Sequence, residues 1–81
     1  MQGSKDVYLI KEAWAKIVGP ENCTHTQVVS FKNGVLTVQV KDAMLYSIYA
    51  TQQKMNLLRQ MQKQMPQMQI KRLHFRYSIE H

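Results

Sequence analysis

The chemistry this chain can offer is concentrated in its last basic run, Lys71-Arg72-Leu73-His74-Phe75-Arg76. Lys71, Arg72 and Arg76 lie close together there, with His74 between them, and Lys32 and Lys41 flank an earlier segment. Arginine and lysine on one face can neutralise successive phosphates. His74 or the nearby Tyr77 can stack on an unpaired base. These residue types therefore suit a nucleic acid. They equally suit a solvated sheet face that keeps a small protein soluble, and the sequence leaves both open.

Other chemistries find little support. His25, His74 and His81 are widely separated, and no pair has a common metal-ligand spacing. Cys23 and His25 stand two apart without an orienting third group, which is poor geometry for a thiolate–imidazole pair. The carboxylates are Asp6, Glu12, Glu21, Asp42 and Glu80, with no pairing that suggests acid–base work. Glycines at 3, 19 and 34 form no phosphate-cradling loop. The expectation is a protein that is not an enzyme and carries no metal or cofactor.

Composition sets the frame. The chain has 81 residues, 11 Lys and Arg against 5 Asp and Glu, and a net charge of +6. Such a balance favours polyanionic partners. A chain this short buries only ~60–65% of the surface that its unfolded form exposes, so a deep substrate cavity would compete with the core. One cysteine excludes an intramolecular disulfide framework. No apolar run approaches the ~18 residues of a membrane span. The stretch Met1-Gln-Gly-Ser-Lys-Asp6 lacks the apolar core of a secretory signal. The expected address is the cytoplasm, and the expected organisation is a single domain over 1–81 with its core at about 5–77.

Several elements must position these residues. Ser4 or Asp6 can cap a first helix, along which Val7, Ile10, Trp14, Ile17 and Val18 form one apolar stripe. Trp14 reads as the anchor of that helix against a sheet. Gly19 supplies a C-cap and Pro20 blocks resumption. Residues 20–26 read as a connection. Gln27 to Lys32 reads as a strand, Asn33-Gly34 as a type I′ turn, and Val35 to Lys41 as its partner strand. Leu36, Val38 and Val40 share one face of that strand; Val35, Thr37 and Gln39 share the other. Asp42 caps a second helix from Ala43 to about Met65, with Leu45, Ile48, Met55, Leu58 and Met61 or Met65 as its buried stripe. Thr51 and Gln52 interrupt that stripe and allow a bend or break there.

Pro66 ends that helix. Gln69 to Tyr77 reads as a third strand, with Leu73, Phe75 and Tyr77 on one face and Arg72, His74 and Arg76 on the other. Ile70 falls outside the alternation, at the strand entrance or a bulge, and Ser78 to His81 reads as a frayed end. Methionines 44, 55, 61, 65 and 68 serve mainly as adaptable core filler, or in part as a protein-binding surface. Of Tyr46 and Tyr49, one packs and the other faces out. The expected fold is α+β, in the order α-β-β-α-β, with a three-stranded sheet and helices packed on one face.

This series resembles the DciA family. Trp14-Ala-Lys-Ile-Val-Gly19 is similar to its opening signature, followed by a polar stretch, here Cys23-Thr-His25-Thr26. Asn33-Gly-Val-Leu-Thr-Val-Gln-Val40 matches its hairpin, Met55-Asn-Leu-Leu-Arg59 its helix, and Ile70-Lys-Arg-Leu-His-Phe-Arg76 its closing strand. The resemblance covers residues 8–77. It implies a KH-like fold and a role in operating or loading the hexameric, DnaB-type replicative helicase of bacteria, with single-stranded DNA bound by some members. The Gly-x-x-Gly clamp of true KH domains is absent, and Leu45 or Tyr46 stands where the family often has Trp.

The sequence thus leads to a DNA-replication adaptor with the helicase and single-stranded DNA as partners. Lys32, Lys41, Lys71, Arg72, His74 and Arg76 are the expected nucleic-acid contacts. Trp14, Gly19, Asn33, Gly34, Leu73 and Phe75 are the expected structural positions. A small KH-like RNA-binding module and a pure protein–protein adaptor are the alternatives. No small-molecule substrate and no membrane partner are expected.

Overall fold

The computed structural model describes residues 4–79, with side chains described from Val7 onward. Helix α1 runs over Ser4–Val18 and the one-turn helix α2 over Pro20–Cys23. Strands β1 (Thr26–Lys32) and β2 (Val35–Val40) follow, then helices α3 (Ala43–Thr51) and α4 (Lys54–Gln64). A 3-10 turn at Pro66–Met68 leads to strand β3 (Arg72–Tyr77). The sheet order is β1-β2-β3. β1 and β2 are antiparallel, and β3 lies parallel to β2. The architecture is α+β and KH-like, with the long helices on one face of the sheet.

The core forms where the helices meet that face. Ile10 and Trp14 of α1, Tyr49 of α3, and Leu57, Leu58 and Met61 of α4 pack with Val28, Leu36, Val38, Val40, Leu73 and Phe75. Trp14 is buried, and its indole N–H donates to Thr26 Oγ1 at 2.9 Å. Its ring stands edge-on to Tyr49 at 6.1 Å and tilted against Phe75 at 6.0 Å. One aromatic cluster thus joins α1, α3 and β3, at spacings where ring quadrupoles attract. Burial pushes the Tyr49 phenol above its ordinary range, opposed in part by a hydrogen bond with the Asn22 side chain.

The hairpin matches expectation. Asn33 and Gly34 both have positive φ, +52° and +80°, as a type I′ turn requires. Asp42 caps α3, its carboxylate accepting from the Leu45 amide at 2.9 Å. Capping of α1 by Ser4 or Asp6 falls on side chains outside the described residues. The end beyond Ile79 also lies outside them.

Four expectations need correction. Pro20 does not hold the chain out of a helix. Gly19 turns at φ +90°, and Pro20 then opens α2 from its first position, where its missing N–H costs nothing. The second helix is two helices, the break falling at the Thr51-Gln52 interruption that allowed it. The Ile48 carbonyl accepts from both Gln52 and Gln53, which closes α3, and the Thr51 hydroxyl bonds back to the Ser47 carbonyl. Such back-bonding bends helices. In α3 the core takes Tyr49 and leaves Ile48 exposed at 36%; the break resets the phase of α4, so Leu57, Leu58 and Met61 are buried, with Met65 after them, and Met55 is exposed at 60%. Finally, the third strand begins at Arg72 rather than Gln69; Gln69 instead takes a left-handed turn at φ +54°. Ile70 is buried ahead of it, its carbonyl accepting from Gln62 of α4 at 2.8 Å.

Candidate nucleic-acid interface

The face of the sheet away from the helices carries three rows of side chains, each crossing all three strands. Register and alternation place Lys32, Val35 and Arg72 in the first row. Ser30, Thr37 and His74 form the second, and Gln27, Gln39 and Arg76 the third. No carboxylate stands in these rows. Arg72, His74 and Arg76 are exposed and recur about every 6–7 Å along β3. Lys32 and Arg72 stand two strands apart, about 9–10 Å.

A β-bulge puts Lys32 on this face. Pairing shifts between Val28 and Ser30, so Val29 and Ser30 together oppose Thr37. Without the extra residue, strict alternation from buried Thr26 and Val28 would turn Lys32 towards the core and Phe31 outwards. With it, Phe31 opposes buried Leu36, and Lys32 opposes Val35. Bulges re-aim side chains in this way. Sequence reasoning missed the bulge; the adjacent β-branched pair Val28-Val29 is the only local trace of it.

The hairpin turn fastens the basic run. The Gly34 carbonyl accepts from the Lys71 amide at 2.7 Å and the Arg72 amide at 3.0 Å. Lys71's methylenes lie against Gly34, so close that a Cβ there would meet them at 3.0 Å. Lys32, Lys71 and Arg72 therefore gather at one end of the sheet. Lys41 is set apart. It follows β2 at the opposite end, its amide bonded to the His25 carbonyl, about 20 Å along the strand from the hairpin. Arg76 lies towards that second end. Of the six expected contacts, Lys32, Arg72, His74 and Arg76 thus share the face, Lys71 sits beside the hairpin turn, and Lys41 follows β2 at the other end.

Gln39 is the unforeseen member of this face. Alternation places it with the polar side chains, yet it is only 5% exposed. Its Oε1 accepts from Arg76 Nη2 at 3.1 Å. That bond fixes the amide orientation, because the flipped form would set N–H against N–H. Its Nε2 has no hydrogen-bond partner among the described residues. Tyr77, the other candidate for base stacking, follows the core side of β3 instead. It is 42% exposed and tilts against Tyr46 at 5.8 Å.

Cys23 and His25 do not come together as a pair. Cys23 is half-buried and lines a cavity with Lys11, Trp14 and Thr26; His25 is exposed and lines another with Glu21 and Asp42. Among the described residues no group of three or more His, Cys, Asp or Glu could hold a metal ion. No helix among them is long and apolar enough to cross a membrane.

No curated protein matches the sequence. A family model does match it, the one described as "Dna[CI] antecedent, DciA", over residues 1–75 of the 81. That span takes in the anchoring Trp14, the Asn33-Gly34 hairpin and the basic strand up to Phe75, so the chain belongs to the DciA family.

Proposed function

We propose that this protein is a non-enzymatic replication adaptor, a single domain that binds the DnaB-type helicase and helps place it on single-stranded DNA in the cytoplasm. The observation that carries the DNA half of this reading is the uncovered sheet face, where Lys32, Arg72, His74 and Arg76 stand in register with no carboxylate among them. Lys71 extends it at the hairpin end and Lys41 at the other. Arginine and lysine neutralise phosphates, and His74 stacks on a base between them. Family membership supports the helicase half. ATP turnover belongs to the helicase, since no glycine-rich phosphate loop is found in this sequence.

The test is capture of the purified replicative helicase from the same source by the full chain, with and without single-stranded DNA. Helicase is retained, and more is retained when DNA is present. Failure to retain helicase, together with salt-sensitive binding of RNA in preference to DNA of matched sequence, would leave only the fold in common with helicase loaders. Helicase retention that ignores both salt and DNA would make the protein an adaptor without a nucleic-acid role.

A further inference from the structure

Helix α3 has a composition that its position does not explain. Its nine residues, Ala-Met-Leu-Tyr-Ser-Ile-Tyr-Ala-Thr, include no charged side chain. Apart from exposed Ser47 and Thr51 it is largely apolar, and a helix that is apolar on all sides is ordinarily buried on all sides. Only one side of α3 meets the core, through buried Tyr49 and partly buried Leu45, Tyr46 and Ala50. On the other side Met44 is 75% exposed and Ile48 is exposed. These two, with Leu45, floor an open groove of about 250 Å³ between α2 and α3. The Gly19 turn carries Glu21 to one rim, and the capping Asp42 stands on the other.

The charge of this groove is opposite to that of the molecule. The protein carries +6. Yet two of the three carboxylates with described side chains, Glu21 and Asp42, border the groove with His25 beside them, and among the described residues no lysine or arginine lines it. A polyanion gains nothing here. An apolar segment flanked by lysine or arginine gains both burial and charge pairing. A second copy of this basic chain would approach against its own net charge. The groove lies between α2 and α3, with Lys41 next to the bordering Asp42, and at the end of the sheet away from Lys32, Lys71 and Arg72, so both surfaces can be occupied together.

We infer that this groove docks a short amphipathic segment of the helicase, with apolar side chains on Met44, Leu45 and Ile48 and an adjoining lysine or arginine paired with Glu21 and Asp42. The inference rests on the adaptor reading, and its test separates the two. The variant Glu21→Lys/Met44→Lys changes two side chains that hold no part of the core. The full-length variant is compared with the unaltered chain for affinity to the purified DnaB-type helicase hexamer, for affinity to oligo-dT, and for mass in solution. Helicase affinity is expected to fall at least tenfold, while oligo-dT affinity holds or rises with the added positive charge. Should the double variant fold poorly, Met44→Ser with Glu21→Gln removes the same contacts without new charge, and a severalfold loss is expected. Unchanged helicase affinity overturns the groove assignment and leaves the adaptor reading standing. A change in self-association with helicase affinity intact also overturns it, in favour of a contact between copies. If the unaltered chain binds no helicase, both fall.

Discussion

Trp14 and Thr26 make a buried side-chain hydrogen bond that is costly to disturb. The indole N–H is buried, and Thr26 Oγ1, itself donating to the Cys23 carbonyl at 3.3 Å, is its acceptor. Thr26→Val keeps the shape of the side chain and removes the acceptor. An orphaned buried donor costs about 1–3 kcal/mol. In a domain of this size each kcal/mol lowers Tm by roughly 4–8 °C. Thermal unfolding followed by circular dichroism should show that fall, and an unchanged Tm would mean that water replaces the hydroxyl. The anchoring role of Trp14 was legible from its place in the α1 stripe. Its partner was not, because a bond across twelve residues exists only once α1 has met β1. Gln39 teaches the same lesson. Alternation along β2 assigned it to the polar face, but its burial and its bond to Arg76 depend on β3 lying alongside.

Elements were legible where local chemistry alone decides them. Asn33-Gly34 act through their own backbone and Asp42 through a carboxylate that reaches an amide three residues on, and both sit where their residue types require. Packing decides the rest. The bulge at Val29 and the reset of phase after Thr51 both come from fitting side chains to a shared core, and they moved Lys32 outwards and Met55 off the buried stripe. The hairpin turn offers a direct test of how an element positions the candidate interface. Alanine at position 34 must hold φ near +80° and push Lys71's methylenes away from 3.0 Å. The left-handed backbone alone costs a residue with a Cβ about 1–2 kcal/mol. Gly34→Ala should therefore lower the denaturant midpoint with little change in slope. It should also weaken DNA binding beyond the stability loss, because Lys71 and Arg72 hang from the Gly34 carbonyl.

At the scale of the whole molecule the two sides of the sheet differ, one packing the helices and the other carrying Lys32, Arg72, His74 and Arg76. β3 lies parallel to β2, and parallel neighbours need a long crossover, which α3 and α4 supply. The sequence showed that a third strand joins the hairpin but not which edge it takes. That edge decides whether Arg72 and Arg76 stand beside β2 or far from it. Net charge alone would also draw DNA, so the face must be separated from diffuse attraction. If Lys32, Lys71, Arg72 and Arg76 each neutralise one phosphate, log affinity for oligo-dT should fall against log salt with a slope of about −3. Arg72→Glu/Arg76→Glu should bring that slope to about −1.4. The fold should persist, because a Gln39 amide that flips can donate to a carboxylate at position 76. Lys16→Glu/Lys63→Glu removes the same charge from exposed sites on α1 and α4, in the helical layer. Fluorescence anisotropy across a salt series distinguishes the cases. A slope that changes only in the sheet-face pair assigns the phosphates to that face; equal changes in both pairs reduce it to the general field of a basic protein.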